Sequence, residues 1–174
     1  PQHRYCRYVH SYDDHASTRT LTERLEASLA DSFERLVTLA DGRTIVIPLS
    51  GGYDSALVAM MLKQLGYDNL VAFTYGRAGD REAECSRAIA EALKIRWEFI
   101  PYSEALWHQW YRTSEWAAFR SFSHEFCALP HLQDWPAVWR LRDRQSVPED
   151  SIFVPGHFAD LPAGSKSRIV PGLY

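Results

Sequence analysis

The sequence predicts an α/β protein in which a doubly wound parallel sheet is flanked by helices, followed by a helical C-terminal part. Apolar runs of strand length alternate with segments of helical periodicity, which is typical of βαβ units. The first run, residues 44–49, is apolar on both faces, as expected for a central strand. Residues 50–55, Ser-Gly-Gly-Tyr-Asp-Ser, then lead directly into a helical pattern. This loop should lie at the carboxyl edge of the sheet, where such folds bind ligands.

The chain is predicted to begin with an arm and a long helix. Residues 1–18 are polar and aromatic without a period, which indicates an N-terminal arm, and residues 19–174 would form the domain. Thr20 and Glu23 have the spacing of a capping box. Leucines follow at helical spacing, and Gly42 stands where the helix should end.

Further strands and helices alternate after the loop. The predicted strands are residues 70–75, 96–100 and 151–155, and the predicted helices are residues 53–66, 80–94 with Asp80 as the cap, and 103–145 with breaks at Pro130 and at Asp134-Trp135-Pro136. The last region is rich in aromatic residues at helical spacing, which favours a core over the alternative of a substrate wall. They are Trp107, Trp110, Tyr111, Trp116, Phe119, Phe122, Phe126, Trp135 and Trp139. His124 and Glu125 are a candidate acid–base pair, with a structural histidine as the favoured alternative.

The composition, net charge and cysteine spacing of the chain disfavour several classes of protein. A chain of 174 residues is ordinarily one domain, and a net charge of −3 without a basic run disfavours a nucleic-acid partner. No apolar segment has the length of a membrane span, and no signal peptide is recognisable. Cys6, Cys85 and Cys127 are widely separated, which argues against a disulfide framework or a zinc cluster. A cytoplasmic protein is expected, and its subunit number is left open.

The loop has the chemistry of a phosphate site. A strand that turns tightly into a helix leaves backbone N–H groups unpaired at the positive end of the helix dipole. Gly51 and Gly52 allow an anion to approach closely, and Ser50 and Ser55 add hydroxyl donors. Asp54 would repel a bare phosphate, so it indicates a bound cation, with Mg²⁺ the favoured ion. The alternative is a glycine-rich turn without a ligand.

Ser-Gly-Gly-x-Asp-Ser at a strand–helix junction resembles the pyrophosphate-binding loop (PP-loop) of the ATP pyrophosphatase superfamily, whose fold is Rossmann-like. It lacks the Gly-Lys-Ser/Thr of a Walker A loop. Superfamily members include asparagine, β-lactam, NAD and GMP synthetases and tRNA-modifying enzymes. The resemblance implies that ATP is cleaved between its α and β phosphates and that Mg²⁺ is a cofactor. It implies ATP contacts from Leu49, Ser50, Gly51, Gly52, Asp54, Ser55, Phe73, Thr74, Tyr75 and Gly156, with adenine held by backbone of residues 73–75.

A second segment, residues 156–165, resembles a loop of asparagine and β-lactam synthetases through the spacing of Gly156, Asp160 and Gly164. This narrower resemblance implies that Asp54 and Asp160 share the magnesium ion. The sequence departs from that family where His157-Phe158 replaces Glu-Gly and Leu161 replaces the second acid. Two cations just beyond the loop, Lys166 and Arg168, are candidates for phosphate contacts, and Lys166 is also a candidate catalytic residue.

The resemblance therefore implies an AMP-forming, asparagine synthase-like amide ligase. It would adenylate a small carboxylate, release pyrophosphate and accept ammonia or an amine, with a separate glutaminase as a candidate ammonia source. Amidation of a sugar acid in bacterial surface-polysaccharide synthesis is one setting that fits. Because no glutaminase segment precedes the domain and the sequence ends soon after the second loop, before the later helical region of full-length family members, a fragment or a trimmed homologue is expected. The alternatives are a PP-loop tRNA-modifying enzyme and a non-catalytic nucleotide-binding module.

Overall fold

The computed structural model describes residues 15–124, without the side chain of His124, and residues 132–156. Within these ranges strands and helices alternate in the predicted order. The helices are α1 (Thr18–Ala40), α2 (Tyr53–Gln64), α3 (Arg81–Ala92), α4 (Glu104–Tyr111), α5 (Ser114–His124) and α6 (Trp135–Asp143), and the strands are β1 (Ile45–Pro48), β2 (Leu70–Gly76), β3 (Arg96–Pro101) and β4 (Ile152–Phe153).

The four strands form one parallel sheet in the order β3-β2-β1-β4. β1 is central, with Ile45 aligned with Leu70 of β2 on one side and with Ile152 of β4 on the other. The chain runs outward from β1 through β2 to β3 and then returns to the opposite side of β1. The direction of winding therefore reverses between β1 and β4, and a reversal of this kind opens a crevice at the carboxyl ends of the strands.

Helices cover both faces of the sheet, which confirms the doubly wound class. Ile45 and Ile47 point to one face and pack in a cluster that includes residues of α1, α2 and α3. Val46, between them, points to the other face and packs with Ala137 and Leu141 of α6. All three β1 residues are fully buried. The apolar pattern on both faces of this strand therefore predicted its central position correctly.

The start of α1 differs from the prediction. The N-cap is Ser17, whose hydroxyl accepts a hydrogen bond of 3.1 Å from the Thr20 backbone N–H. The capping box predicted at Thr20 is therefore wrong, because the earlier serine starts the helix three residues sooner, which is nearly one turn, and Thr20 becomes the third helical residue. α1 begins at Thr18, at the edge of the predicted arm. Although α1 has 23 residues, neither it nor another helix of the described ranges is long and apolar enough to cross a membrane.

The helical region after β3 also differs in detail. Asp134-Trp135-Pro136 was expected as a break, and it is where α6 begins, with Pro136 in the first turn. A further interruption falls at residues 112–113, without a proline or glycine to signal it. β4 has two residues instead of the predicted five. It is an edge strand of the described sheet, and Pro155 has no N–H with which to extend the pairing.

Most of the described aromatic residues of this region form a packed layer, as the core interpretation predicted, but Phe122 is 78% exposed, so the prediction is wrong for that residue. Trp110 is fully buried, with ring centroids 5.4 Å from Trp107, 4.3 Å from Trp116 and 6.1 Å from Trp135. Phe119 stacks on Trp135 at 4.1 Å. These contacts join α4, α5 and α6 into one unit.

Candidate functional site

A cavity of about 330 Å³ opens at the carboxyl edge of the sheet, where the winding reverses. This volume lies at the small end of the range for ligand pockets. Eight predicted site residues line it: Leu49, Ser50, Asp54, Ser55, Phe73, Thr74, Tyr75 and Gly156. Five lining residues were not predicted: Pro48, Glu82, Gln133, Asp134 and Pro155. A larger cavity of about 740 Å³ beside Arg96 contains none of the predicted residues, so chemistry and not size selects the first.

The helix that enters this cavity has an open N-terminus. α1, α3 and α4 each begin with a capping side chain, from Ser17, Asp80 and Ser103 respectively. The N-cap of α2 is Gly52, which is extended at φ −87° and has no side chain that could accept a hydrogen bond from an N–H of the first turn. Asp54, in the first turn of α2, lines the cavity. Among the described residues, no side chain caps the start of α2, so its first-turn N–H groups are available to a ligand or to water.

The two loop serines are linked to each other and to the backbone. The Ser50 N–H donates to Ser55 Oγ at 3.0 Å, and the Gly52 N–H donates to Ser50 Oγ at 3.2 Å. The two hydroxyl oxygens lie 3.0 Å apart. One hydroxyl hydrogen fills that contact, so the other is left to donate elsewhere. The loop is therefore held in shape by its own serines, and none of its side chains fills the cavity formed by the described residues.

Close packing accounts for the glycines at this edge. A Cβ on Gly51 would lie 3.1 Å from Cβ of Cys85. A Cβ on Gly156 would lie 2.7 Å from the Ser55 nitrogen and 3.0 Å from the carbonyl carbon of Asp54. Gly156 thus rests directly on the first turn of α2, which brings the loops after β1 and β4 together as predicted. Gly51 and Gly52 support the loop backbone without lining the cavity.

The far side of the cavity is built from tyrosines and from the segment before α6. The Tyr75 hydroxyl donates to Asp134 Oδ1 at 2.5 Å, and its ring stacks on Tyr102 at 4.7 Å. The Tyr102 hydroxyl donates to the Gln133 carbonyl and accepts from the Ala137 N–H at 3.2 Å. Burial raises the pKa of both tyrosines well above the ordinary value of 10.0, and for Tyr75 the bond to Asp134 raises it further. Both hydroxyls are thus kept protonated as donors.

Part of the backbone at the end of β2 already makes hydrogen bonds within the protein. The Phe73 carbonyl accepts from the Leu49 N–H at 2.8 Å, and the Thr74 side chain is buried. The predicted contact of this segment with adenine stays a prediction, for which Phe73 retains one carbonyl lone pair.

The donor set suits magnesium. Asp54, Glu82 and Asp134 line the cavity, with no basic side chain among its described lining residues. Over residues 15–124 and 132–156, no three His, Cys, Asp or Glu side chains cluster as a metal site would require. Mg²⁺ needs no such protein cage, since it is usually held by one or two carboxylates together with substrate phosphates. Asp54 can serve as one such carboxylate.

Several predicted residues lie outside the described part of the chain. They are Cys6, Glu125, Phe126, Cys127, Pro130, Asp160, Gly164, Lys166 and Arg168. The sharing of a metal by Asp54 and Asp160, the role of Lys166 and the pairing of His124 with Glu125 therefore stay predictions. Cys85 is an exposed free thiol.

The segment that contains the loop of residues 50–55 matches the model of a known protein family. Residues 44–114 match the model of the family described as "Queuosine biosynthesis protein QueC". The match runs from the start of β1 into α5 and covers less than half of the chain. It supports the predicted ATP pyrophosphatase superfamily, whereas the narrower asparagine synthetase-like branch finds no support.

Solved structures with a similar chain path include an NH3-dependent NAD synthetase from Campylobacter jejuni, at 18% identity and a TM-score of 0.44, which covers 71% of this chain and 48% of that one. A second, described as a "predicted subunit of tRNA methyltransferase" from Methanocaldococcus jannaschii, has 21% identity and a TM-score of 0.37, with 66% and 52% covered. This chain spans about half of each. Likeness at this level does not bear on function. No curated protein matches the sequence.

Proposed function

We propose that this chain is an ATP-using, AMP-forming enzyme of the PP-loop type. One observation carries the proposal: the uncapped start of α2 meets Ser50, Asp54 and Gly156 at the cavity where the sheet reverses its winding. An open helix N-terminus binds anions through its N–H groups and dipole. The match of residues 44–114 to a PP-loop family supports the same ligand.

In the proposed reaction the loop holds the β and γ phosphates of ATP. First-turn N–H groups of α2 and one hydroxyl of the Ser50–Ser55 pair donate to phosphate oxygens as negative charge builds on the departing pyrophosphate. Asp54 would hold Mg²⁺, and Asp160 is proposed as its partner. The bound ion would supply neutralisation of phosphate charge. The close packing of Gly156 keeps the two loops aligned on this group.

For the acceptor we propose a small carboxylate. Its oxygen attacks the α phosphorus, the bond to the pyrophosphate oxygen breaks, and an acyl-adenylate forms. The nitrogen of ammonia or an amine then attacks the acyl carbon, loses a proton and displaces AMP to give an amide. The nitrogen would come from free ammonia or from a separate glutaminase. An asparagine synthetase-like substrate, including a sugar acid of a surface polysaccharide, rests on the spacing of residues 156–165 alone.

The second candidate is an enzyme of modified-nucleoside synthesis or tRNA modification. The QueC match favours it, because the name of that family refers to queuosine biosynthesis. A net charge of −3 and the absence of a Cys-x-x-Cys pair weigh against direct tRNA thiolation. The charge and the missing cysteine pair do not weigh against an enzyme that acts on a small-molecule precursor of a modified nucleoside. A carboxylate precursor of that kind would be adenylated as in the first candidate reaction.

The test is ATP–pyrophosphate exchange with Mg²⁺, measured against a panel of carboxylic acids, with and without bulk tRNA. Exchange that depends on a carboxylate and not on tRNA supports the ligase. Strict dependence on tRNA supports tRNA modification. Nucleotide binding without exchange under any condition contradicts both enzymes and leaves a binding module.

A further inference from the structure

Behind the loop of residues 50–55, three buried or half-buried polar side chains from three elements form a hydrogen-bonded network, and one of them contacts a backbone carbonyl. Thr74 of β2 and Ser86 of α3 are in hydroxyl–hydroxyl contact, and Trp97 of β3 donates its indole N–H to both, at 3.1 Å and 2.9 Å respectively. The Thr74 hydroxyl donates to the Leu49 carbonyl at 2.6 Å. Thr74 is 6% exposed and Ser86 fully buried. Buried polar groups in contact usually form a satisfied network, and this one ends at the residue before Ser50.

The hydrogens of this network can point in only one direction. A carbonyl oxygen can only accept and an indole N–H can only donate. The single hydrogen of Thr74 is used on Leu49, so Ser86 must be the donor in its contact with Thr74. The order is therefore Trp97 N–H to Ser86, Ser86 O–H to Thr74, and Thr74 O–H to the Leu49 carbonyl. Hydrogen bonds aligned in this way polarise one another.

The chain of hydrogen bonds continues into the loop through one peptide unit. The Leu49 carbonyl and the Ser50 N–H belong to the same planar group, so a donor on the carbonyl both fixes its plane and strengthens the N–H as a donor. That N–H donates to Ser55 Oγ at 3.0 Å. Ser55 Oγ in turn contacts Ser50 Oγ. The orientation of both loop hydroxyls thus depends on Thr74.

We infer that Thr74, Ser86 and Trp97 are positioning residues for the phosphate loop: their one-way hydrogen-bond chain sets the 49–50 peptide in the plane that binds pyrophosphate. This inference rests on the proposed function for its ligand, and on geometry alone for its effect on the loop. It gives Thr74 a role distinct from the backbone contact with adenine expected from the sequence.

The experiment compares Thr74→Val, which removes the hydroxyl, with Thr74→Ser, which retains it. Hydrogen exchange of the Ser50 amide, followed by NMR in the full chain without ligand, should be about tenfold faster in Thr74→Val and near wild type in Thr74→Ser. The dissociation constant for Mg·ATP, measured by calorimetry, should rise roughly fivefold to tenfold in Thr74→Val only, the amount that one neutral hydrogen bond contributes.

Thr44→Val is the matched control. Thr44 is also 6% exposed, and its hydroxyl donates to Asn69 at 3.1 Å at the amino end of β1. It should lose stability without faster exchange at Ser50 or weaker Mg·ATP binding. If Thr74→Val does not fold, Ser86→Ala breaks the chain one step earlier and should speed exchange at Ser50 by roughly threefold.

The outcomes separate the two proposals. Unchanged Ser50 exchange in the folded Thr74→Val or Ser86→Ala protein overturns the positioning inference, whatever binds. Equal changes in Thr44→Val also overturn it, because general destabilisation then explains them. A wild-type protein that binds no Mg·ATP contradicts the proposed function, while faster Ser50 exchange confined to the Thr74 and Ser86 variants would still support the hydrogen-bond chain.

Discussion

The two sides of the cavity are built by different means. On the α2 side, glycines, small hydroxyls and backbone N–H groups are in direct contact, and Gly156 lies close enough to α2 that a single added carbon would overlap Ser55. On the α6 side, the rings of Tyr75 and Tyr102 stack, and their hydroxyls hold residues 133–134. The first side presents main-chain donors suited to phosphate. The second presents side chains that hold a loop in place.

This difference predicts which side of the cavity should tolerate substitutions. Main-chain contacts cannot rearrange without moving a helix, so the α2 side should respond sharply to small added atoms. Ring stacking and side-chain hydrogen bonds are worth about 1 kcal/mol each and can be lost one at a time. Asp54→Asn, Gly156→Ala and Tyr75→Phe test this contrast, the first two with matched control variants.

Asp54→Asn should have the largest effect. Removal of the carboxylate that is proposed to hold Mg²⁺ should lower ATP–pyrophosphate exchange by at least about 100-fold, while the melting temperature changes little. Asp68→Asn is the control: it makes the same chemical change at an exposed carboxylate paired with Lys63, and exchange should stay near wild type. Normal exchange in Asp54→Asn would remove the metal assignment.

Gly156→Ala should have the next largest effect. The added carbon meets backbone atoms at 2.7 Å and 3.0 Å, which cannot move independently. The free energy of unfolding, measured by urea titration, should fall by about 1–3 kcal/mol, with weaker Mg·ATP binding.

Gly52→Ala is the matched comparison for Gly156→Ala. Its added carbon would meet only the Ser50 hydroxyl, at 3.2 Å, and that group can rotate. Its loss of stability should be under about 1 kcal/mol. Equal losses in the two variants would contradict the contrast between backbone and side-chain contacts.

Tyr75→Phe should have the smallest effect at neutral pH, a loss of about 1 kcal/mol for one hydrogen bond. Its pH dependence is the sharper test. Because the folded-state pKa of Tyr75 lies above its ordinary value of 10.0, the neutral hydroxyl contributes stability that is fully present below pH 10 and is lost as the pH rises above it. Tyr102 behaves in the same direction. Unfolding curves between pH 8 and 11 should therefore decline less steeply in Tyr75→Phe. An unchanged slope would show that the Tyr75 hydroxyl is not buried against Asp134.

Much of the fold could be predicted because its signals are local. The run Ile45–Pro48, the Ser-Gly-Gly turn and the cap at Asp80 each act within a few residues, and all are found where expected. The errors also arose locally: Ser17 caps α1 three residues before the predicted position, and β4 is shorter than its apolar run. Residue propensities alone do not decide which of two nearby capping residues starts a helix, or how many residues of an edge strand are paired.

The sequence by itself determined the parallel sheet, the loop at its carboxyl edge and the hydroxyl and backbone donors of Ser50 to Ser55 on which the proposed phosphate site depends, because strand–turn–helix patterns are short-range and repeat. Only the tertiary structure decided that Asp134 and Gln133 reach the same cavity from the opposite face, that Gly156 must be small to rest on α2, and that Thr74, Ser86 and Trp97 converge behind the loop. These contacts join residues 11 to more than 100 positions apart in the chain, and only the winding of the sheet sets the distances between them.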